Sequence, residues 1–285
     1  MAKGPYKIIA LDLDGTLLDS EKRLSEVNRA ALERAAEAGV HIVPTTGRFF
    51  GMMPDVIREL PFVRYAITIN GAQVYDRIED KAIVREEIPL EMAIEVMKML
   101  DGFDIIYDCY RSNWGWMTSA LQEKAETYAT DAHYVKMVRE FRKPVPELKA
   151  HLLETAAEGG VQKIMLFGPL ADRECKVLGA IREKMAERFP EIKVTSSCWN
   201  DLEFNIASAN KGNSLRRFAE HLGFTLDNCM AFGDGLNDLS MIEAAGCSVA
   251  MANAVDEVKA AATWISSSND ENGVAKGINK WIFSE

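Results

Sequence analysis

The chain has 285 residues, 48% of them hydrophobic and 27% charged, which excludes disorder, collagen-like repeats and a disulfide-stapled miniprotein. Its 33 Lys and Arg against 43 Asp and Glu leave a formal charge of −10, which argues against nucleic acid as a partner. A small anionic substrate would need local help from a metal ion or a few well-placed cations.

Five cysteines (Cys109, Cys175, Cys198, Cys229 and Cys247) are odd in number and form no C-x-x-C pair, as expected of reduced thiols. The first apolar run, Ile8 to Leu11, is too short for a signal-peptide core. No apolar run reaches the roughly 18 residues of a membrane span. These features point to a soluble, cytoplasmic protein, long enough for one large or two medium domains.

Tyr6–Leu11 reads as a strand buried on both faces. Ser25 can cap a helix to about Ala38, with Val27, Ala31, Leu32 and Ala35 on one face and Gly39 at its end. Val40–Val43 is a second strand, Met52 to Leu60 a helix, and Tyr65–Ile69 a third strand ending in Asn70-Gly71. This alternation implies a parallel, doubly wound sheet whose ligands bind outside the carboxyl ends of its strands.

The texture changes from about Ile83 to Ser208. Leu90–Leu100 reads as a helix, Asp104–Tyr110 and Asn113–Thr118 as adjacent strands, and Gln162–Phe167 as another strand. Asp172–Arg188 follows as a helix, then Ile192–Ser197 and Leu202–Ala207 as an antiparallel pair. Paired strands suggest a separate α+β unit. The tail returns to strand–helix alternation, with helix Asn213–Leu222, strand Cys229–Phe232, helix Leu239–Ala245, strand Cys247–Met251 and helix Val255–Ala262. An α/β domain over 1–82 and 209–285, interrupted by an insert over 83–208, is therefore expected.

Four polar clusters follow strands of the alternating domain, and a fifth, Lys211-Gly212, opens one of its helices. Asp12-Leu13-Asp14-Gly15-Thr16 puts two carboxylates at i and i+2, which suits a hard cation, a nucleophile with an acid/base partner, or a plain turn. Thr45-Thr46-Gly47-Arg48 offers a hydroxyl beside amide groups for phosphate, or simply a helix cap. Asn70-Gly71-Ala72 is a generic turn, and Lys211-Gly212 opens a helix as lysines often do in water. Gly233-Asp234-Gly235-Leu236-Asn237-Asp238 again places carboxylates after a strand; Ala245 stands where an EF-hand would need its glutamate. Taken together along one rim of one sheet, these groups are the inventory of a magnesium-dependent phosphoryl-transfer site.

In this order and spacing the motifs resemble those of the haloacid dehalogenase superfamily, most closely its Cof-type sugar phosphatase branch. The resemblance implies a Rossmann-like core with an inserted cap. It also implies a Mg²⁺-dependent phosphatase of small phosphorylated metabolites, such as sugar phosphates, working through an aspartyl-phosphate. Asp12 would be the nucleophile, and Asp14 would protonate the leaving alcohol and then activate water. Mg²⁺ would be held by Asp12, the Asp14 main-chain carbonyl and Asp234. Asp238 belongs to the same acidic set and, with Asn237, would support that loop or the phosphate. Thr46 and Lys211 would bind the transferring oxygens, in a phosphate-binding set that includes Leu13, Gly47, Arg48 and Asn237. Two positions depart from the usual pattern: Thr45 where alanine is frequent, and Ala252 within Met251–Ala254 where glycine is frequent.

The insert should select the substrate. Tyr107, Tyr110, Trp114, Trp116 and Trp199 could stack on a ring but are more simply packing, and Asp108 or Arg111 could meet a polar leaving group. His41 and His133 lack paired ligand spacing and read as ordinary residues. A phosphomutase or a pathway-specific sugar-phosphate phosphatase is the alternative within the same chemistry. A receiver-type phospho-signalling module is the alternative outside it, disfavoured by the insert and by Asp14. Neither a nucleic-acid nor a membrane partner is expected.

Overall fold

The computed structural model describes residues 5–130 and 132–284, apart from the side chain of His133. In chain order its first strands are β1 (Ile8–Leu11), β2 (His41–Pro44), β3 (Tyr65–Thr68), β4 (Gln73–Asp76) and β5 (Lys81–Arg85). There follow β6 (Ile106–Arg111), β7 (Trp114–Thr118), β8 (Arg142–Val145), β9 (Lys163–Phe167), β10 (Ile192–Thr195) and β11 (Asp201–Ile206). The tail adds β12 (Cys229–Gly233), β13 (Cys247–Ala250) and β14 (Trp264–Ile265).

The chain divides into two compact units, one of residues 1–85 with 208–285 and one of Glu86–Ala207. The break expected at 82/83 would fall inside β5. That strand stays with the first unit because it hydrogen-bonds antiparallel to β4.

The sheet of the first unit runs β14-β13-β12-β1-β2, all parallel. Alternate residues of β1 feed two cores: Ile9 and Leu11 pack with Leu32, Phe232 and Ile278, whereas Ile8 and Ala10 pack with Leu215, Phe218 and Met241. Burial on both faces is why β1 reads as an uninterrupted apolar run. The chain moves outward from β1 in one direction to β2, and later in the other through β12, so the winding reverses between β1 and β12. A crevice at such a reversal lies open at the strands' carboxyl ends.

Local chemistry shapes the flanking elements. The helix Glu26–Glu37 is capped by the Ser25 hydroxyl, which accepts from the Asn28 amide at 3.1 Å. Its buried stripe is Asn28, Ala31, Leu32 and Ala35, and Val27 points to solvent instead of joining that face. Buried Asn28 is satisfied: it donates to the Leu17 carbonyl and accepts from the Ala275 amide. The helix expected over Met52–Leu60 is broken by Pro54 into a 3₁₀ turn, Phe50–Met52, and a short helix, Asp55–Arg58.

The third strand also departs from expectation. β3 touches the parallel sheet through one bridge, Thr45 to Ile67, and pairs otherwise in an antiparallel β3-β4-β5 sheet. Ile69 (φ 55°), Asn70 (φ 58°) and Gly71 (φ 94°) reverse the chain, so its next strand folds back onto β3.

The second unit is a six-stranded sheet ordered β10-β11-β9-β6-β7-β8, antiparallel except for β7 with β8. Tyr107, Cys109, Ile164, Leu166, Leu202 and Phe204 form a core on one face with the helices Leu90–Leu100 and Lys176–Arg188. Ile106, Met117, Met165 and Phe167 pack on the other with Tyr128 and Val138. No described helix is long and apolar enough to cross a membrane.

Candidate active site

β1 and β12 are in parallel register, Leu11 beside Phe232, so the segments that follow them emerge side by side at the reversal point. Asp12 leaves β1 there, and Asp234 and Asp238 lie just beyond β12. Lys211 begins the helix Lys211–His221, whose cap Asn210 accepts from the Asn213 amide at 2.8 Å. A cation at a helix N-terminus opposes the helix dipole. Two carboxylates offset that penalty: the fully buried Lys211 Nζ lies 2.6 Å from Asp12 Oδ1 and 2.5 Å from Asp238 Oδ1.

The second oxygen of Asp238 accepts from the amides of Asp234 (2.9 Å) and Gly235 (3.0 Å) and so shapes the loop that carries Asp234. Thr16 donates its hydroxyl to Asp234 Oδ1 at 2.6 Å. Gly15, at φ 84°, lies so close to Asp234 that a Cβ there would come within 2.5 Å of its carboxylate.

Asp12, Asp234 and Asp238 each offer a carboxylate oxygen, all within 4.8 Å of one another. Three acids surround one ammonium, so this largely buried group carries an excess of negative charge. Burial, reinforced by Asp238 and Asp234 and opposed by Lys211, pushes the Asp12 carboxyl up to about 7. Burial also raises Asp234, with Asp238 and Asp14 adding to the effect and Thr16 opposing it. Burial alone would favour neutral Lys211, but Asp12 and Asp238 reverse this and hold its pKa above the ordinary lysine value. Clustered carboxylate oxygens with uncompensated charge fit a hard divalent cation such as Mg²⁺.

Asp14 is oriented elsewhere. Its Oδ1 lies 2.8 Å from Lys22 Nζ and its Oδ2 2.8 Å from Arg48. Its carboxylate is therefore not a member of the cation-sized cluster, and Arg48 engages an acid within the site. Thr46 is buried, with its hydroxyl accepting from the Arg48 amide at 3.3 Å and its own amide donating to Ile67 at 2.9 Å. Gly47 packs tightly on the Asn70 carboxamide. The Leu13 side chain is in the apolar core, so only its main chain is available to a ligand. Asn237 is exposed on the loop before Asp238.

The family profile described as haloacid dehalogenase-like hydrolase matches residues 9–278. The chain belongs to this family. The 5-amino-6-(5-phospho-D-ribitylamino)uracil phosphatase YcsE of Bacillus subtilis (strain 168) is 30% identical over 280 residues, covering 97% of this chain and 96% of that one. The pyridoxal phosphate phosphatase YbhA of Escherichia coli (strain K12) is 29% identical over 274 residues, covering 95% and 97%. A crystal structure of a haloacid dehalogenase-like hydrolase from Bacteroides thetaiotaomicron superposes with a TM-score of 0.79 at 27% identity, covering 96% and 99%. This haloacid dehalogenase-like hydrolase is of the Cof-type branch, and its enzyme class is that of phosphate monoester hydrolases.

In this hydrolase the Asn70-Gly71 turn is a strut. A Cβ on Gly71 would collide with the Asn210 main chain, and the Ser214 hydroxyl donates to the Gly71 carbonyl, so the turn seats the helix that presents Lys211. Thr45 donates its hydroxyl to the Val43 carbonyl at 3.1 Å, which satisfies it where it is buried.

Two supporting residues escape a reading of the sequence. Thr16 is visible there only as the end of the first motif. Asn253, inside Met251–Ala254, donates to the Gly15 carbonyl at 2.8 Å and accepts from the Asn269 amide at 3.1 Å. A polar residue amid small apolar ones is the available signal.

Within the second unit, buried Asp108 pairs with buried Arg142 at 2.8 Å, and buried Arg111 donates to the Thr155 hydroxyl. Tyr107 and Tyr110 are buried, and Trp116 donates to the Arg111 carbonyl at 3.3 Å. Trp114 and Trp199 are the exposed rings of the aromatic set, with Lys143 over the first and Arg173 over the second. His41 packs half-buried between Tyr65 and Phe224.

Proposed function

We propose that this protein is a Mg²⁺-dependent phosphatase of small phosphorylated metabolites, sugar phosphates among them, acting through an aspartyl-phosphate on Asp12. The observation that carries the reading is a buried carboxylate at the reversal point of a doubly wound sheet, held 2.6 Å from a buried lysine amid two further acids.

An Asp12 oxygen attacks phosphorus and forms an acyl phosphate while the bond to the leaving oxygen breaks. Asp14 gives that oxygen its proton. Asp14 then takes a proton from water, whose oxygen attacks the phosphorus, releasing phosphate and restoring the Asp12 carboxylate. Lys211 orients Asp12 and reduces its repulsion of the phosphate dianion. Thr46, with the main chain at Leu13 and Gly47, contributes donors to the phosphoryl oxygens. Asp12, Asp234 and Asp238 would hold the Mg²⁺, Asp238 also serving as the brace of the loop. When bound, the metal supplies the positive charge that an anion-on-anion reaction needs.

Two relatives are named for a phosphoribitylamino-uracil and for pyridoxal phosphate, which supports a small phosphorylated metabolite as the substrate. The second unit, Glu86–Ala207, is read as the cap that selects it.

The test is release of inorganic phosphate from p-nitrophenyl phosphate and a panel of phosphorylated metabolites, with and without Mg²⁺. Multiple turnovers that depend on Mg²⁺ and vanish in Asp12→Asn are expected. Absence of turnover above that control refutes the catalytic reading, a single stoichiometric phosphorylation points to a receiver, and transfer without free phosphate points to a mutase.

A further inference from the structure

The loop after the first motif has a built conformation. Asp19 Oδ1 accepts from the amides of Glu21 and Arg23, both at 2.9 Å, and the Asp19 main chain bonds those of Lys22 and Arg23. Its flank is tied across 250 residues, because the Ser20 amide and hydroxyl donate to the two oxygens of Asp270 at 2.8 and 2.7 Å. Lys22 sits at the tip in the left-handed region, φ 62°, a conformation a lysine adopts only where its surroundings hold it. The outcome is an ammonium 2.8 Å from Asp14 Oδ1.

The two oxygens of Asp14 are treated differently. Oδ2 is 2.8 Å from the Arg48 guanidinium. Oδ1 is shielded from solvent and accepts no aligned hydrogen bond, although Lys22 lies close enough for ion pairing. Lys22 and Arg48 thus hold one carboxyl oxygen each and fix the carboxyl plane from both sides.

We propose that Lys22 is a positioning residue, delivered by the locked 19–23 loop, that orients the Asp14 carboxyl group for proton transfer to the leaving-group oxygen. The inference rests on the acid/base role given to Asp14 above. Lys22 itself remains largely exposed, so the pair is worth at most about fivefold in rate.

The experiment compares p-nitrophenyl phosphate, whose leaving group departs without a proton, with phenyl phosphate, whose leaving group needs one. In Lys22→Met, kcat/KM, which reports transfer from substrate to Asp12 and excludes the later hydrolysis common to both substrates, should fall about fivefold on phenyl phosphate and less than about twofold on p-nitrophenyl phosphate. Lys22→Arg should restore most of the loss. Asp270→Ala, which frees the flank of the loop and lies outside the catalytic groups, should shift the same ratio in the same direction. An equal fall on both substrates, or no fall on phenyl phosphate, overturns the proposal. Asp14→Asn serves as the control: if it leaves the two substrates in their wild-type kcat/KM ratio, the acid assignment of Asp14 has failed, whatever Lys22 does.

Discussion

Replacing Lys211 by Met removes the only side-chain cation that, among the described residues, an ion pair places against Asp12 and Asp238, and it leaves three neighbouring acids. At separations of 2.6 and 2.5 Å each contact is worth about 6 kcal/mol before desolvation, taking an effective dielectric of about 20. Burying the ammonium takes back much of this. Breaking such a buried pair from one side costs roughly 3–5 kcal/mol, because the remaining charges lose their partner. For a unit of this size the melting temperature should fall by about 6–20 °C. The assay is thermal unfolding of wild type and Lys211→Met without divalent ions, at pH 6 and pH 8, and again with Mg²⁺. The deficit should be larger at pH 8, where protonation of Asp12 relieves less of the charge, and should shrink when the cation is added. Turnover of p-nitrophenyl phosphate should drop about a hundredfold or more. A variant that melts within about 2 °C of wild type at pH 8 without metal refutes the charge account of the site.

Three other outcomes are expected. The Asp12 carboxyl, raised to about 7 when folded against 3.8 as a free side chain, stays protonated in the folded state at pH values where the unfolded chain has lost that proton. Stability of the metal-free protein should therefore decline as pH rises from about 4 to about 7; Asp12→Asn should flatten the slope, and an unchanged slope would sink this reading. Thr16→Val removes the hydroxyl that orients Asp234 and should weaken Mg²⁺ affinity about 10- to 100-fold by calorimetry, with near wild-type affinity as the contrary result. Gly71→Ala, at φ 94° and against the Asn210 main chain, should cost about 1–2 kcal/mol or more in chemical denaturation and lower kcat by displacing the Lys211 helix. An unaffected kcat would mean that the turn does not set the lysine.

Much of the first unit is readable because its information is local. Runs such as Ile8–Leu11 are apolar at every position since both faces are covered, and the polar loops follow them directly. The misreadings have local causes too. Val27 fits the helical spacing but lies one position off the buried stripe, and Pro54 splits what hydropathy alone would join. β3 has the texture of a parallel strand, and only the three left-handed residues after it, Ile69 to Gly71, turn the chain into a hairpin.

From the sequence alone came the alternating architecture, the insert and the set of polar residues proposed here for phosphoryl chemistry, because apolar period and motif order are properties of neighbouring residues. The partners within that set were decided by the tertiary structure. Asp12 and Asp14 are two residues apart and chemically identical. The register of β1 on β12 brings Asp12 into the cluster with Lys211 and Asp234, while a loop tied to Asp270 brings Lys22 to Asp14. Spacing along the chain can nominate two carboxylates, but their environments depend on segments some 200 residues away, and it is the environment that sets a carboxylate's role.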